Sequence, residues 1–246
     1  MILENFWLLL DNFLENHRIV IDRPRGTPHP KYKNSKYPVD YGYIKGTIAA
    51  DGDEIDLFVG KLKSKKTTGF LCSIDLSKKT CEIKILFSCS PKEKEDARAF
   101  FNETGFISCI LIDRMTTRAQ FNSSFSQHEK ENILNFFPEI FIFEKNTHKN
   151  QEFWGYLQKF IKESKIKESK SKIEGINIGR LKCSKKITDA FVGKTGNKKI
   201  SGIICTLNLE KKESQNMLLI DCNEIQINDI VNNMLKNQLG VFAIKK

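Results

Sequence analysis

The chain has 246 residues, of which 40% are hydrophobic and 28% charged, a composition ordinary for globular proteins and long enough for one large or two small domains with real cores. No segment approaches the roughly 20 consecutive apolar residues of a membrane span, so a soluble, cytoplasmic chain without a membrane partner is expected. The net charge of +10 is uneven, because Lys plus Arg stand against Asp plus Glu as 18 to 16 over residues 1–114 and 22 to 14 over 115–246; a basic second half suits nucleic acid and equally a solvated Lys-rich surface.

In chain order, Ile2, Phe6, Trp7, Leu10, Phe13 and Leu14 recur at helical spacing and predict an amphipathic first helix rather than a signal core, since no Lys or Arg precedes the apolar run. His17 to Asp22 reads as a strand, and Arg23 to Lys36, punctuated by Pro and Gly, as mostly loop. Tyr37 to Ala49 is a second strand-like run leading into the acidic turn Asp51-Gly52-Asp53-Glu54-Ile55-Asp56 and a strand, Leu57 to Gly60. Gly69 to Leu76 and Thr80 to Phe87 form a hairpin around Ser77-Lys78-Lys79. Ser90-Pro91-Lys92-Glu93 opens a helix with a capping box and Pro at its first position, and Phe106 to Ile112 returns as a strand. Five or more short strands with one helix predict a small barrel or curled sheet.

Beyond residue 114, Ser126-Gln127-His128-Glu129 marks another capped helix, Glu139 to Glu144 a strand, and Asn150 to Lys165 a helix with Phe153, Trp154, Leu157, Phe160 and Ile161 on one side. Lys162 to Lys172 alternates Lys, Glu and Ser and reads as a solvated helix end or linker. Strands follow at Gly175 to Cys183, Ile200 to Leu209 and Met217 to Cys222, then a helix from Asn228 to Lys236 and a strand, Gly240 to Ile244. The fold expected is α+β: a first domain over 1–114 built on the curled sheet or barrel, a helical extension and charged linker over 115–173, and a small α+β domain over 174–246.

The seven cysteines form no C-x-x-C pair and sit in apolar runs, so buried free thiols are expected rather than a zinc site. Val192-Gly193-Lys194-Thr195-Gly196 lacks the first Gly of a P-loop, since Thr188 stands there, and is read as a turn between strands. His29, between two prolines, is expected to hold its loop by a hydrogen bond.

Asp51, Asp53 and Asp56 carry the chemistry. Two bare charges ~4 Å apart at an effective dielectric of ~20 repel by about 4 kcal/mol, and a divalent cation removes that repulsion. Carboxylate oxygens are hard ligands, which points to Mg²⁺, with Mn²⁺ as substitute. An EF-hand is excluded because the loop would carry Ile55 as a ligand and Asp56 where Gly is needed. Lys31, Tyr37, Tyr41, Tyr43 and Lys84 lie on or beside strands from which they can reach one cavity, and a metal cluster faced by Lys and Tyr suits an oligophosphate.

Val20-Ile21-Asp22, Lys31-Tyr32, Tyr37-Pro38-Val39-Asp40-Tyr41-Gly42-Tyr43-Ile44 and the acidic turn together resemble the soluble family I inorganic pyrophosphatases. The resemblance spans roughly 17–114, and His29-Pro30-Lys31-Tyr32 brings it nearest to a shortened bacterial and mobile-element subgroup. It implies an N-terminal OB-like barrel and Mg²⁺-dependent hydrolysis of pyrophosphate, or another phosphoanhydride, by a two-metal mechanism. Asp51, Asp53 and Asp56 would bind metal, with Asp53 also the base for the attacking water. Lys31, Tyr41 and Lys84 would contact phosphate and Tyr37 would line the site. Asp22 stands where the family has a Glu lining the metal site, and Glu82 where it has a ligating Asp. The family's phosphate-binding Arg is missing with its hairpin, leaving Arg23 or Arg25 as substitutes. Its remaining ligating Asp falls on Ser77 unless Asp75 takes its place, and its late Tyr-Lys pair has no counterpart. These departures keep a second reading open: a catalytically weak phosphate-ligand-binding or regulatory module whose basic C-terminal half contacts nucleic acid or a protein partner. Relatives of this kind commonly assemble, so a homo-oligomer is an open expectation.

Overall fold

The computed structural model describes residues 2–30, 32–78, 80–103, 105, 107–115, 148–173, 176–183, 186–193, 196–208, 210–235 and 240–246. The helix expected from Ser126, the strand Glu139 to Glu144 and Lys31 lie outside these residues. Among the described residues, α1 (Ile2–Glu15) is followed by β1 (Ile19–Arg23), β2 (Asp40–Ile44), β3 (Ile55–Val59), β4 (Thr67–Asp75), β5 (Thr80–Phe87), α2 (Pro91–Asn102) and β6 (Ile107–Asp113). Then come α3 (His148–Glu163), β7 (Lys165–Ile173), β8 (Ile176–Cys183), β9 (Lys186–Val192), β10 (Ile200–Asn208), β11 (Glu213–Ile220), α4 (Glu224–Leu235) and β12 (Gly240–Lys245).

The first sheet has six strands in the order β1-β2-β3-β5-β4-β6, with β3 and β5 parallel and the other pairs antiparallel. The expected barrel does not close: β1 and β6 are the two ends of the order and do not pair. The reason lies in what covers the sheet. Leu57, Phe70, Cys72, Ile74, Cys81, Ile83 and Ile85 on one face share a core with Trp7, Leu10, Phe13 and Leu14 of α1 and Phe153, Trp154, Leu157, Phe160 and Ile161 of α3. The opposite face, with Tyr41, Phe58, Leu71 and Leu86, packs on Ala97, Phe100 and Phe101 of α2. Layers packed on the two faces bury the apolar residues of the sheet while it stays open.

The second sheet runs β12-β10-β11-β9-β8-β7, with only the β9–β11 pairing parallel. Period-two alternation divides its residues between two cores. Ile203, Cys205, Leu218 and Ile220 join the core that also holds the first sheet. Ile204, Met217 and Leu219 pack with Ile227, Ile230, Val231 and Met234 of α4.

Two expectations are corrected. Of Lys162 to Lys172, read as a solvated helix end or linker, Lys162 and Glu163 end α3 but residues 165–172 belong to the edge strand β7, in which Lys165 pairs with Lys182 and Lys167 with Arg180. Alternating Lys is what blunts a sheet edge against unwanted pairing, so its polarity resembled a linker. The final helix starts at Glu224 rather than Asn228, because Asn223 and Gln226 form a reciprocal cap, Gln226 N donating to Asn223 Oδ1 at 2.9 Å and Asn223 N to Gln226 Oε1 at 2.9 Å. The strand β9 was not among the sequence-predicted strands.

The α2 capping box is as the sequence predicts: Glu93 N donates to Ser90 Oγ at 3.3 Å and Ser90 N to Glu93 Oε2 at 2.9 Å. Ser90→Ala is expected to cost about 1 kcal/mol in urea unfolding. An unchanged midpoint would show that the cap is not what fixes the helix start. Cys72, Cys81, Cys89, Cys109, Cys205 and Cys222 are free and buried. Burial pushes the Cys89 and Cys109 thiols up to about 12. No helix among the described residues is long and apolar enough to cross a membrane.

Candidate active site

The acidic turn is shaped by its backbone. Thr47 Oγ1 donates to Ile44 O at 2.7 Å and accepts from Ile55 N at 2.9 Å, tying together the end of β2 and the start of β3. Inside that loop Ala49 N donates to Asp53 O at 2.7 Å and Gly52 N to Ala49 O at 2.9 Å. Gly52 sits at φ +87°, a conformation L side chains rarely adopt. Asp51 Oδ1 accepts from Asp53 N at 3.0 Å.

The β5 strand supplies the floor. Thr80, Glu82 and Lys84 alternate onto the cavity while Cys81, Ile83 and Ile85 enter the core behind. In the β4–β5 turn, Asp75 Oδ1 accepts from Ser77 N at 2.7 Å, Ser77 Oγ at 2.7 Å and Lys78 N at 2.9 Å. The opposite wall is β1, which pairs with β2 at Gly42, where an added Cβ would collide with the Val20 carbonyl. Beyond this close approach lie Asp22 and Arg23.

These elements enclose a cavity of about 490 Å³, open to solvent, lined by Asp22, Arg23, Tyr37, Tyr41, Asp51, Asp53, Asp56, Asp75, Glu82 and Lys84 together with His29, Tyr32, Tyr43, Glu54, Lys78 and Thr80. Every sequence-predicted site residue that is described lines it, with the exception of Arg25. Arg25, the other substitute for the missing Arg, is turned away: its guanidinium lies 3.9 Å from Glu93 Oε1.

Lys84 is the electrostatic centre. Its Nζ lies 2.6 Å from Asp56 Oδ2 and 3.1 Å from Glu82 Oε2, with the residue only 6% exposed. Burial alone would lower the pKa of its ammonium, but Asp56, Tyr41 and Glu82 outweigh burial and hold it well above the ordinary lysine range. The same surroundings push the fully buried Tyr41 phenol well up, burial first and Asp56 adding to it against the opposing pull of Lys84. The Arg23 guanidinium lies 5.4 Å from the centre of the Tyr41 ring, 5.8 Å from that of Tyr37 and 3.6 Å from Asp22 Oδ2, cation–π distances that hold it at the mouth.

Among the described residues no group of three or more His, Cys, Asp or Glu lies close enough to hold a metal ion by itself. The donors nevertheless fit Mg²⁺: all are hard oxygens around an open cavity, and Glu82 Oε1 is buried without a hydrogen-bond partner. Mg²⁺ keeps several waters and needs only one or two carboxylates besides substrate phosphates, so a preassembled cage is not required.

Thr80, Lys78 and Glu54 are among the lining residues not singled out from sequence. Thr80 Oγ1 is buried without a partner beside Glu82, a position that the two-residue alternation from Lys84 indicates. Lys78, read only as part of a polar turn, brings Nζ to 3.7 Å from Asp51 Oδ2, and Glu54 was passed over within the acidic turn. His29 does hold its loop, Nδ1 accepting from Tyr32 N at 3.2 Å. Lys194 and Thr195 of the segment read as a turn lie outside the described residues, and the next described element after β9 is the strand β10 rather than a helix.

The cavity thus joins acidic side chains with Lys84, Lys78 and Arg23 on one face of a mixed sheet. Residues 15–105 match the family model for Inorganic Pyrophosphatase, a match consistent with a hydrolase. A search of curated proteins finds no match. Solved structures similar in part include an inorganic pyrophosphatase from Helicobacter pylori (14% identity, TM-score 0.33, 40% of this chain and 84% of that one). Others are from Coxiella burnetii (14%, 0.33, 43% and 90%) and Thermus thermophilus (20%, 0.31, 40% and 82%).

Proposed function

We infer that the chain catalyses Mg²⁺-dependent hydrolysis of inorganic pyrophosphate or another phosphoanhydride, in the cytoplasm, through residues of its 1–114 portion. The observation that carries this reading is one cavity gathering Asp51, Asp53, Asp56, Asp75 and Glu82 against Lys84 and Arg23; the family match over 15–105 supports it. In this reading Asp51, Asp53, Asp56 and Glu82 hold metal, with Asp22 and Asp75 at the margin, and Lys31, Tyr37, Tyr41, Lys84 and Arg23 bind phosphate. Bound Mg²⁺ supplies neutralisation of phosphate oxygens and a lowered pKa for water, the chemistry of two-metal hydrolysis. The Asp53 carboxylate takes the proton of the water that attacks phosphorus, and the bridging P–O bond breaks with its electron pair going to the departing phosphate. Lys84, held charged, attracts that developing charge.

Arg23→Ala is expected to raise KM for Mg²⁺-pyrophosphate by about 10- to 100-fold, the loss of one charged hydrogen bond, with kcat within a few-fold of wild type. An unchanged KM would remove Arg23 from the phosphate set. The reading as a whole is tested by incubating the protein with Mg²⁺ and pyrophosphate, or a panel of nucleotides, and measuring phosphate release. Release no faster than in the absence of protein on every substrate sinks it.

One observation favours the second reading, a phosphate-binding or regulatory module: Lys84 already bridges Asp56 and Glu82, two carboxylates assigned to metal. In that case residues 174–246, with the extension 115–173, act as the partner-contacting part, and the basic excess of the second half, 22 Lys and Arg against 14 Asp and Glu over 115–246, is the attraction for a polyanion such as nucleic acid. A salt-insensitive absence of binding in a gel shift of the full chain removes the nucleic-acid part. A homo-oligomer fits either reading.

A further inference from the structure

The second sheet touches the site at two places. Behind the floor, Cys81, Ile83 and Ile85 share their core with Ile203, Cys205, Leu207, Leu218 and Ile220, and Asn216 Nδ2 reaches Cys81 Sγ at 3.7 Å. At the rim, Ile48 forms an isolated parallel bridge with Glu213: Ile48 N donates to Lys212 O at 2.8 Å and Ser214 N to Ile48 O at 2.8 Å. Ile48 stands next to Ala49, whose N–H closes the acidic turn onto Asp53. The carbonyl that receives the Ile48 N–H belongs to Lys212, a non-glycine residue held at φ 57°. Backbone of this kind persists where its surroundings over-determine it.

We propose that the β10–β11 hairpin is a positioning brace for the carboxylate turn, with Ile48 and Ser214 as the positioning residues that fix where Asp51 and Asp53 stand. Its internal hydrogen bonds give the turn its shape, and the two backbone hydrogen bonds from Lys212 and Ser214 tie that shape to a sheet anchored in the common core. The consequence for catalysis rests on the hydrolase reading, but the brace itself does not.

Ser214→Pro and Ile48→Pro each delete one N–H of the bridge, and Ser214 N is directed to Ile48 rather than to β10. In the full-length protein, hydrogen exchange of residues 49–55 is expected to accelerate about ten-fold or more in each variant. The dissociation constant for Mn²⁺, read by electron paramagnetic resonance, is expected to rise by about 5- to 150-fold, the range of site-to-site coupling, while exchange in β4 stays slow. Glu210→Ala, in the same hairpin but outside the bridge, is expected to change neither. By reciprocity, Mg²⁺ with imidodiphosphate slows exchange of the Ser214 amide in the wild type. Folded proline variants with wild-type exchange at 49–55 overturn the proposal. If neither variant folds, wild-type amide exchange decides: joint protection of Ile48 and Ser214 supports the brace, and exchange of both at exposed-turn rates overturns it. A wild type that neither binds Mn²⁺ nor hydrolyses pyrophosphate, with proline variants that still show accelerated exchange at 49–55, removes the hydrolase reading and leaves the brace standing.

Discussion

Asp53→Asn is expected to lower Mg²⁺-supported phosphate release from pyrophosphate by about 10²- to 10⁴-fold, the usual loss for a general base, with little change in melting temperature. The two expectations have separate causes. Asp53 is exposed, and the turn uses its backbone, the N–H donating to Asp51 Oδ1 and the carbonyl accepting from Ala49. The amide is nearly isosteric with the carboxylate, so geometry is kept while the proton acceptor and a metal-seeking charge are lost. Equal release by wild type and variant would take the base role from Asp53, and equal release at the uncatalysed rate would take the activity from the chain.

Lys84→Met is expected to destabilise the fold by about 3–5 kcal/mol, because removing one partner from a buried ion pair strands the other charge. Here two carboxylates, Asp56 and Glu82, lose the same ammonium. Met retains most of the side-chain volume, so the loss reports on charge rather than on a cavity. Because the stranded carboxylates then draw a cation from solution, Mg²⁺ should raise the melting temperature of the variant more than that of the wild type. A variant as stable as wild type, with no added response to Mg²⁺, would show that the cluster is solvated rather than paired. A pH dependence follows from the same group. The folded pKa of Lys84 is held well above the ordinary lysine range and that of Tyr41 well above the ordinary phenol range. Both therefore contribute stability that is complete below the unfolded values and is lost as pH rises through the folded ones. Urea midpoints should thus hold level up to about pH 10 and fall above it, more steeply in wild type than in Lys84→Met.

Much of this was legible from local chemistry. Ser90 and Glu93 announce the start of α2, since a capping box is a property of four consecutive residues. The acidic turn could be read because Gly52 and the flanking strand patterns place three carboxylates at one chain reversal. The rest depends on what is brought near from far away. A barrel was expected because short strands without long helices usually close, and nothing local says that residues 200–220 cover one face of β5. The charged strand β7 followed the composition of a linker, since an edge strand and a solvated segment satisfy the same local preferences and only pairing with β8 separates them. Arg23 and Arg25 are equivalent in sequence, two residues apart; β1 carries one into the cavity, and Glu93 on α2 draws the other away. The counter-ion role of Lys84 was hidden for a related reason: residues 82 and 84 share a face by alternation, but Asp56 arrives only through the parallel pairing of β3 with β5.

The common core has a consequence for biosynthesis. Cys81, Ile83 and Ile85 need Ile203, Leu218 and Ile220 to be covered, so a nascent chain that has released only its first 114 residues exposes the back of β5 while the carboxylates in front are already present. Domains that finish folding as they emerge do not face this delay. A product truncated between β6 and β10 would carry every acidic residue of the site on a sheet that lacks the β10 and β11 residues of its core, and is expected to be a substrate for chaperones and proteases rather than a smaller enzyme.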